Sequence, residues 1–204
     1  MLNEESRSAV ENFICSAKNS FISFADQINK DSYEAAAELI IKAQRQGKRL
    51  HVTGIGKPGH VSEYIASLMS STGTPCYFLH GTEAVHGSSG QLVAGDVVIA
   101  ISNSGETLEL KATVRAVKNN GCKVIGVTGN MESWLAKESE VCIFAGVSNE
   151  GGPLNRAPRN SVMAELLILQ VLSVALQSEK QLTPQQYIQR HPGGALGKLR
   201  DDEK

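Results

Sequence analysis

Six consecutive residues, Ser102-Asn103-Ser104-Gly105-Glu106-Thr107, gather three hydroxyls, an amide and a glycine directly after a run of apolar residues. A helix is expected to begin just beyond them. The first turn of a helix exposes N–H groups without intrahelical partners, so this stretch has the makings of a phosphate seat. A Ser or Thr N-cap would account for one hydroxyl, not three. With no arginine present, the stretch suits a small phosphate monoester held by neutral donors better than a nucleoside triphosphate. Its candidate ligands are Ser102, Asn103, Ser104 and Thr107. A second stretch, Gly54-Ile55-Gly56-Lys57-Pro58-Gly59-His60, carries glycines, Gly56 among them, that let backbone approach a ligand closely ahead of another helix start. It is neither a Walker loop nor a dinucleotide fingerprint with its ribose-binding acid. By itself it also reads as a plain strand-to-helix turn.

Both stretches need a scaffold to hold them. Segment 3–29 sets Val10, Phe13, Ile14, Ala17, Phe21, Phe24 and Ile28 three and four residues apart, the stripe of an amphipathic helix. Asp31-Ser32 offers an N-cap for a second helix over 33–46, closed by Gly47. Strands are expected at 49–53, 75–79, 96–102, 122–128 and 141–145, and helices at 58–71, 108–120, 132–138 and 159–179. Strands of continuous Val/Ile character separated by helices predict an α/β fold, a parallel sheet covered by helices on both faces. Such sheets bind ligands outside the carboxyl ends of their strands, where both stretches fall. The 159–179 helix is apolar nearly all round and belongs in a core or a subunit interface. The tail after 182 reads as turn-rich. One domain is expected over 1–204, with leading helices 3–47, an α/β core 49–180 and a tail 182–204.

Composition narrows the function. Twenty basic residues against 21 acidic ones give a net charge of −1, which offers no general attraction to nucleic acid. The longest apolar stretch, near 166–176, is broken by Gln170 and Ser173, and no membrane span is expected. The amino terminus carries acids and lacks the apolar run of a signal peptide. Cys15, Cys76, Cys122 and Cys142 are scattered singly and are expected to be reduced, in a cytoplasmic protein.

Gly-Ile-Gly-Lys-x-Gly-His at 54–60, Ser-Thr-Gly-Thr-Pro at 71–75, Ala-x-His-Gly at 84–87, Ile-Ser-Asn-Ser-Gly-Glu at 101–106 and His-Pro-Gly-Gly-Ala-Leu-Gly at 191–197 occur in this order. Together they resemble the sugar isomerase (SIS) domain and, more narrowly, the D-arabinose 5-phosphate isomerases, over about residues 49–198. Ser-Asn-Ser-Gly-Glu alone marks the wider superfamily, which includes non-enzymatic sugar-phosphate sensors. The resemblance implies a flavodoxin-like three-layer sandwich and interconversion of D-ribulose 5-phosphate with D-arabinose 5-phosphate through an enediolate, a step toward the envelope sugar Kdo. It also implies a stand-alone form without the pair of CBS modules of longer members, and a homo-oligomer, a tetramer.

Aldose–ketose exchange needs a base to move a proton between C1 and C2 and a donor or cation facing the enediolate; it needs no cofactor. By resemblance, Lys57 is the lysine that holds the phosphate or stabilises the enediolate, and Glu109 is the general base. Glu150 is the second family glutamate. His191 is the late histidine, an acid or base for ring opening that a neighbouring subunit can supply. His80 and His86 match substrate-contacting histidines, and the backbone of Gly73 and Thr74 matches positions that touch the ligand. Residues 182–204 then form an active-site tail. His80, His86 and His191 also invite a zinc reading, but no short ligand spacing supports it, and neither metal nor cofactor is expected.

The chain departs from the family over 151–162, where Gly-Gly-Pro-Leu-Asn-Arg-Ala-Pro-Arg-Asn-Ser-Val replaces a Cys-Pro-Leu-Gly-Leu-Ala-Pro stretch followed by Thr and Ser. Arg156 and Arg159 there put the exact phosphosugar in question more than the reaction type. The alternatives are isomerisation of another phosphosugar, such as a hexulose 6-phosphate or sedoheptulose 7-phosphate, and a non-catalytic SIS regulator. A regulator would carry a DNA-binding module, for which neither end of the chain has the basic character.

Overall fold

The computed structural model describes residues 1–203; Lys204, the last residue of the expected tail, lies outside them. Two helices lead, α1 (Glu4–Asp26) and α2 (Lys30–Arg45). Then follow β1 (Leu50–Gly54), α3 (Lys57–Ser71), β2 (Cys76–Phe78), two short 3-10 turns, β3 (Val97–Ile101), α4 (Leu108–Asn119), β4 (Lys123–Thr128), α5 (Trp134–Glu138) and β5 (Val141–Phe144). The chain closes with α6 (Asn160–Glu179), α7 (Pro184–Arg190) and two further 3-10 turns.

The five strands form one parallel sheet in the order β2-β1-β3-β4-β5, the flavodoxin-like winding. Alternation along each strand divides the core in two. Leu50, Val52, Ile99, Ile101, Ile125, Val127 and Ile143 face α2, α3 and α6. Val98, Ala100 and Val124 face Leu110, Val114 and Val117 of α4 and Leu135 of α5. Helices therefore cover both faces, as the Val/Ile runs predict.

Two local expectations need correction. α2 starts at Lys30, not 33, and its N-cap is Asn29, whose side chain accepts from the Ser32 N–H at 3.1 Å. Asn29, Asp31 and Ser32 are all good cap residues, so type alone could not choose among them. The tail is not all turn: α7 is set by a capping box in which Thr183 and Gln186 exchange side-chain and backbone bonds, with Pro184 at the first position. The expected core placement of α6 holds, although the helix is long and apolar enough by length and composition alone to cross a bilayer. Nine of its residues are buried inside the chain, including Ile168, Leu169, Leu172 and Leu176. It is a core helix, packed against α1, α2 and α3.

Large apolar side chains remain exposed on α1: Val10, Ile14, Phe21 and Ile22. The four thiols are free. Burial pushes Cys76 up to about 12 and Cys122 and Cys142 up to about 11, while Cys15 on α1 stands exposed.

Candidate active site

In a sheet wound 2-1-3-4-5 the chain leaves β1 toward one edge and returns to β3 on the other side. The crevice between those two carboxyl ends is the place where such folds bind ligands. Both unusual loops open there. After β1, Gly54 packs so closely on the first turn of α3 that a Cβ would lie 2.7 Å from the Pro58 carbonyl carbon. Gly56 caps α3 at φ +66° with no side-chain bond, and Lys57 is the exposed first residue of the helix.

After β3, the hydroxyls are used to shape the loop. Ser102 Oγ accepts from the Gly105 N–H at 3.1 Å and bonds Thr107 Oγ1 at 3.0 Å, while Ser104 Oγ accepts from the Glu106 N–H at 3.2 Å. The Asn103 carbonyl accepts from the Gly129 N–H at 2.9 Å. Thr107 holds the N-cap position of α4 but makes no capping bond. The first-turn amides of this 12-residue helix thus face the crevice without a side-chain acceptor, unlike those of a helix closed by its own Ser or Thr. Ser104 and Asn103 stand exposed beside them.

Glu109 lies on the exposed face of the first turn of α4, and among the described residues its carboxylate joins no ion pair. Glu150, after β5, closes the start of α6. One of its carboxylate oxygens accepts from the Arg159 N–H at 2.6 Å and from the Ser161 N–H at 3.1 Å. Asn155, at φ +49°, fixes the same loop by accepting from the Glu150 N–H at 2.6 Å. His80 follows β2, and its Nδ1 accepts from the Glu83 N–H at 3.2 Å. That bond leaves Nε2 as the protonated nitrogen of the neutral ring, a donor directed outward. His86 sits exposed in the 3-10 turn Glu83–His86.

Lys57, His80, His86, the 102–107 loop, Glu109 and Glu150 therefore share the carboxyl edge of the sheet. Gly73, Thr74 and His191 do not. Gly73 and Thr74 precede β2, at the amino edge, and the tail folds onto that same edge. Lys180 Nζ donates to the Gly73 carbonyl at 3.0 Å and to Gln44 Oε1 at 2.7 Å. His191 closes α7, stacked 4.1 Å from the Tyr187 ring, with Nδ1 donating to the Tyr187 carbonyl at 3.0 Å. Its Nε2 is left as the acceptor. Within one chain the expected site is split between opposite edges.

Among the described residues no three His, Cys, Asp or Glu side chains converge as metal ligands would. A cavity of about 440 Å³ lies beside Lys57, lined also by Val61, Pro158 and Leu166. The larger one, about 890 Å³ between α2 and α6, contains none of these residues.

One acid escapes a reading of the sequence. Glu165 lies in the middle of α6, 1% exposed, and neither carboxylate oxygen has a hydrogen-bond partner among the described residues. Burial, and secondarily the charge of Glu150, pushes it up to about 8. A glutamate within Ala164-Glu165-Leu166-Leu167-Ile168 is the only signal the sequence offers for it.

Residues 45–175 match the SIS domain family model. The chain belongs to the SIS domain family. A curated relative from Pseudomonas aeruginosa named arabinose 5-phosphate isomerase KdsD is 42% identical over 168 residues, 82% of this SIS domain chain and 51% of the relative. Arabinose 5-phosphate isomerase KpsF from Escherichia coli O6:H1 is 35% identical over 84% of this chain and 52% of its own. The chain thus spans about half the length of the curated relatives it matches. Among solved structures, an E. coli CFT073 protein in complex with arabinose 5-phosphate superposes with a TM-score of 0.80 at 32% identity, covering 94% of this SIS domain chain and all of that one. A Listeria monocytogenes protein superposes at 0.86 with 26% identity, over 95% of this chain and all of its own.

Proposed function

We propose that this SIS domain interconverts D-arabinose 5-phosphate and D-ribulose 5-phosphate, on a route toward Kdo. The observation that carries the reading is the uncapped α4 amino terminus beside Ser102, Asn103, Ser104 and Thr107, at the winding crevice and close in sequence to Glu109, a carboxylate in no ion pair among the described residues, with an exposed lysine at the same sheet edge. Relatives named for this reaction and a structural neighbour described in complex with arabinose 5-phosphate support the substrate class.

In this reading the sugar phosphate anchors on the α4 amides and the loop hydroxyls. Glu109 shuttles the proton between C1 and C2, since a base needs only to be correctly protonated and within hydrogen-bond reach. Lys57 faces the charge that develops on oxygen, the moment at which a cation contributes most. His80 donates to a sugar hydroxyl through Nε2, with His86 beside it. Glu150 assists proton transfer from its anchored position. Ring opening falls to His191, whose free Nε2 suits a base. Because His191, Gly73 and Thr74 lie on the far edge of their own chain, they serve the site of another subunit, in a homo-oligomer that we read as a tetramer of cytoplasmic protein. The apolar side chains exposed on α1 support association.

Isomerisation of a different phosphosugar is the second reading. It is favoured by the 151–162 segment, where Arg159 packs against Gly152 and lies 6.0 Å from the Phe13 ring instead of presenting hydroxyls.

Turnover of D-arabinose 5-phosphate to D-ribulose 5-phosphate by purified protein, with and without EDTA, tests the proposal. Equal activity in both is expected. Turnover only of a longer phosphosugar would select the second reading, and loss on chelation restored by one metal would overturn the cofactor-free mechanism.

A further inference from the structure

The phosphate loop contains an acid, which is a poor choice beside a site for a dianion. Glu106 resolves this by turning away from the crevice and engaging both oxygens elsewhere. Oε1 accepts from the backbone N–H of Trp134 at 2.7 Å, and Oε2 takes Lys111 Nζ at 2.5 Å. The Lys111 bond, with the Trp134 N–H second, holds its carboxyl below the usual carboxylate range. Further ties hold the loop to the start of α5 and to the end of β4. The Leu135 N–H donates to the Gly105 carbonyl at 3.1 Å, and Thr128 Oγ1 donates to the Asn103 carbonyl at 3.2 Å. Gly105, at φ +66°, sits so close to Ser133 that no side chain fits between them. Lys111 Nζ and the Arg115 guanidinium lie 5.6 and 5.3 Å from the centre of the Trp134 ring.

We propose that Glu106 is a positioning residue that pegs the phosphate loop to the start of α5, and that it thereby makes Trp134 a part of the loop. The inference rests on the phosphate-seat reading of that loop. The peg sets the aim of the α4 amides and of Ser104 before any ligand arrives, so its removal weakens phosphate binding in ground and transition states alike. Trp134 is the chain's single tryptophan, so its emission reports the state of the loop.

The experiment compares wild type, Glu106→Ala and Glu106→Gln as purified protein in the full chain. Glu106→Ala raises KM for D-arabinose 5-phosphate about 10-fold with kcat within about twofold, the signature of lost uniform binding, and weakens inhibition by inorganic phosphate in parallel. Glu106→Gln keeps an acceptor for the Trp134 N–H and restores KM to within about twofold of wild type. Inorganic phosphate changes Trp134 emission in wild type and in Glu106→Gln but not in Glu106→Ala. If Glu106→Ala does not fold, Lys111→Ala, which frees one oxygen of the peg, decides: KM rises about 2- to 5-fold in the same pattern. A folded Glu106→Ala or Lys111→Ala with wild-type KM and wild-type phosphate inhibition overturns the proposal. Failure of the wild type to turn over the sugar, with phosphate binding still weakened in Glu106→Ala, removes the reaction but keeps the peg.

Discussion

Ser104 and Glu109 stand five residues apart yet are assigned opposite duties, and kinetics separates them. In the proposed site, Ser104→Ala removes a phosphate contact made equally before and during the reaction. Loss of a bond to a charged group is worth about 1.5–3 kcal/mol, so KM is expected to rise roughly 10- to 150-fold with kcat nearly constant. Glu109→Gln keeps the shape and removes the base, and kcat is expected to fall by about 10²–10⁴ with KM little changed. A Gln at 109 that harmed KM alone would pass the base to Glu150 or His191. Glu165 has its own titration. Its folded pKa, pushed up to about 8, exceeds the ordinary 4.5, so its stabilising protonated form is fully present below 4.5 and is lost as pH rises through 8. Urea unfolding should therefore find the wild type less stable at pH 8.5 than at pH 5, and Glu165→Gln more stable than wild type at pH 8.5 by a few kcal/mol. Sequence reasoning names Lys57 and Glu109 only because the glycine-rich turns beside them resemble those of the sugar isomerase family. It misses Glu165 because one acid does not disturb an apolar helix pattern, and whether that acid is buried is decided by packing.

At the scale of elements, the strands are legible because Val and Ile runs have one stable home, a sheet buried on both faces. What a run does not record is which groups pin its ends. Asp96, just before β3, accepts from the Arg49 N–H at 2.8 Å and the Val93 N–H at 2.9 Å, and its Oδ2 lies 3.3 Å from His51 Nε2. This one buried carboxylate ties β1, β3 and the turn before it. Asp96→Ala would strand three donors in the interior, and chemical denaturation should register a loss of about 3 kcal/mol or more. The tail shows the reverse failure. Thr183-Pro184-Gln185-Gln186 spells a capping box, yet the turn signals of His191-Pro192-Gly193-Gly194 outweigh it in a local reading and hide the helix between them.

For the whole molecule, the split of the expected residues between two edges of the sheet is the finding that motif matching could not supply. It is partly within reach, because Gly73 and Thr74 precede a strand and so belong to its amino end. Motifs name residues; topology distributes them. Light scattering at micromolar concentration should report a tetramer. A sharper check mixes two inactive variants, Glu109→Gln and His191→Ala, under conditions of subunit exchange. If each site draws its carboxylate and its imidazole from different chains, hybrid oligomers contain some intact pairs and turnover returns. No recovery would mean that a single chain supplies both.

The thiols give the molecule an addressable handle. Three of the four are buried or half-buried and held far above neutral pH, whereas Cys15 stands exposed among the apolar side chains of α1. A maleimide dye should therefore react at one position per chain. Its rate then doubles as a footprint of assembly: dilution that releases α1 should accelerate labelling, and a dye already attached there should hold the subunits apart.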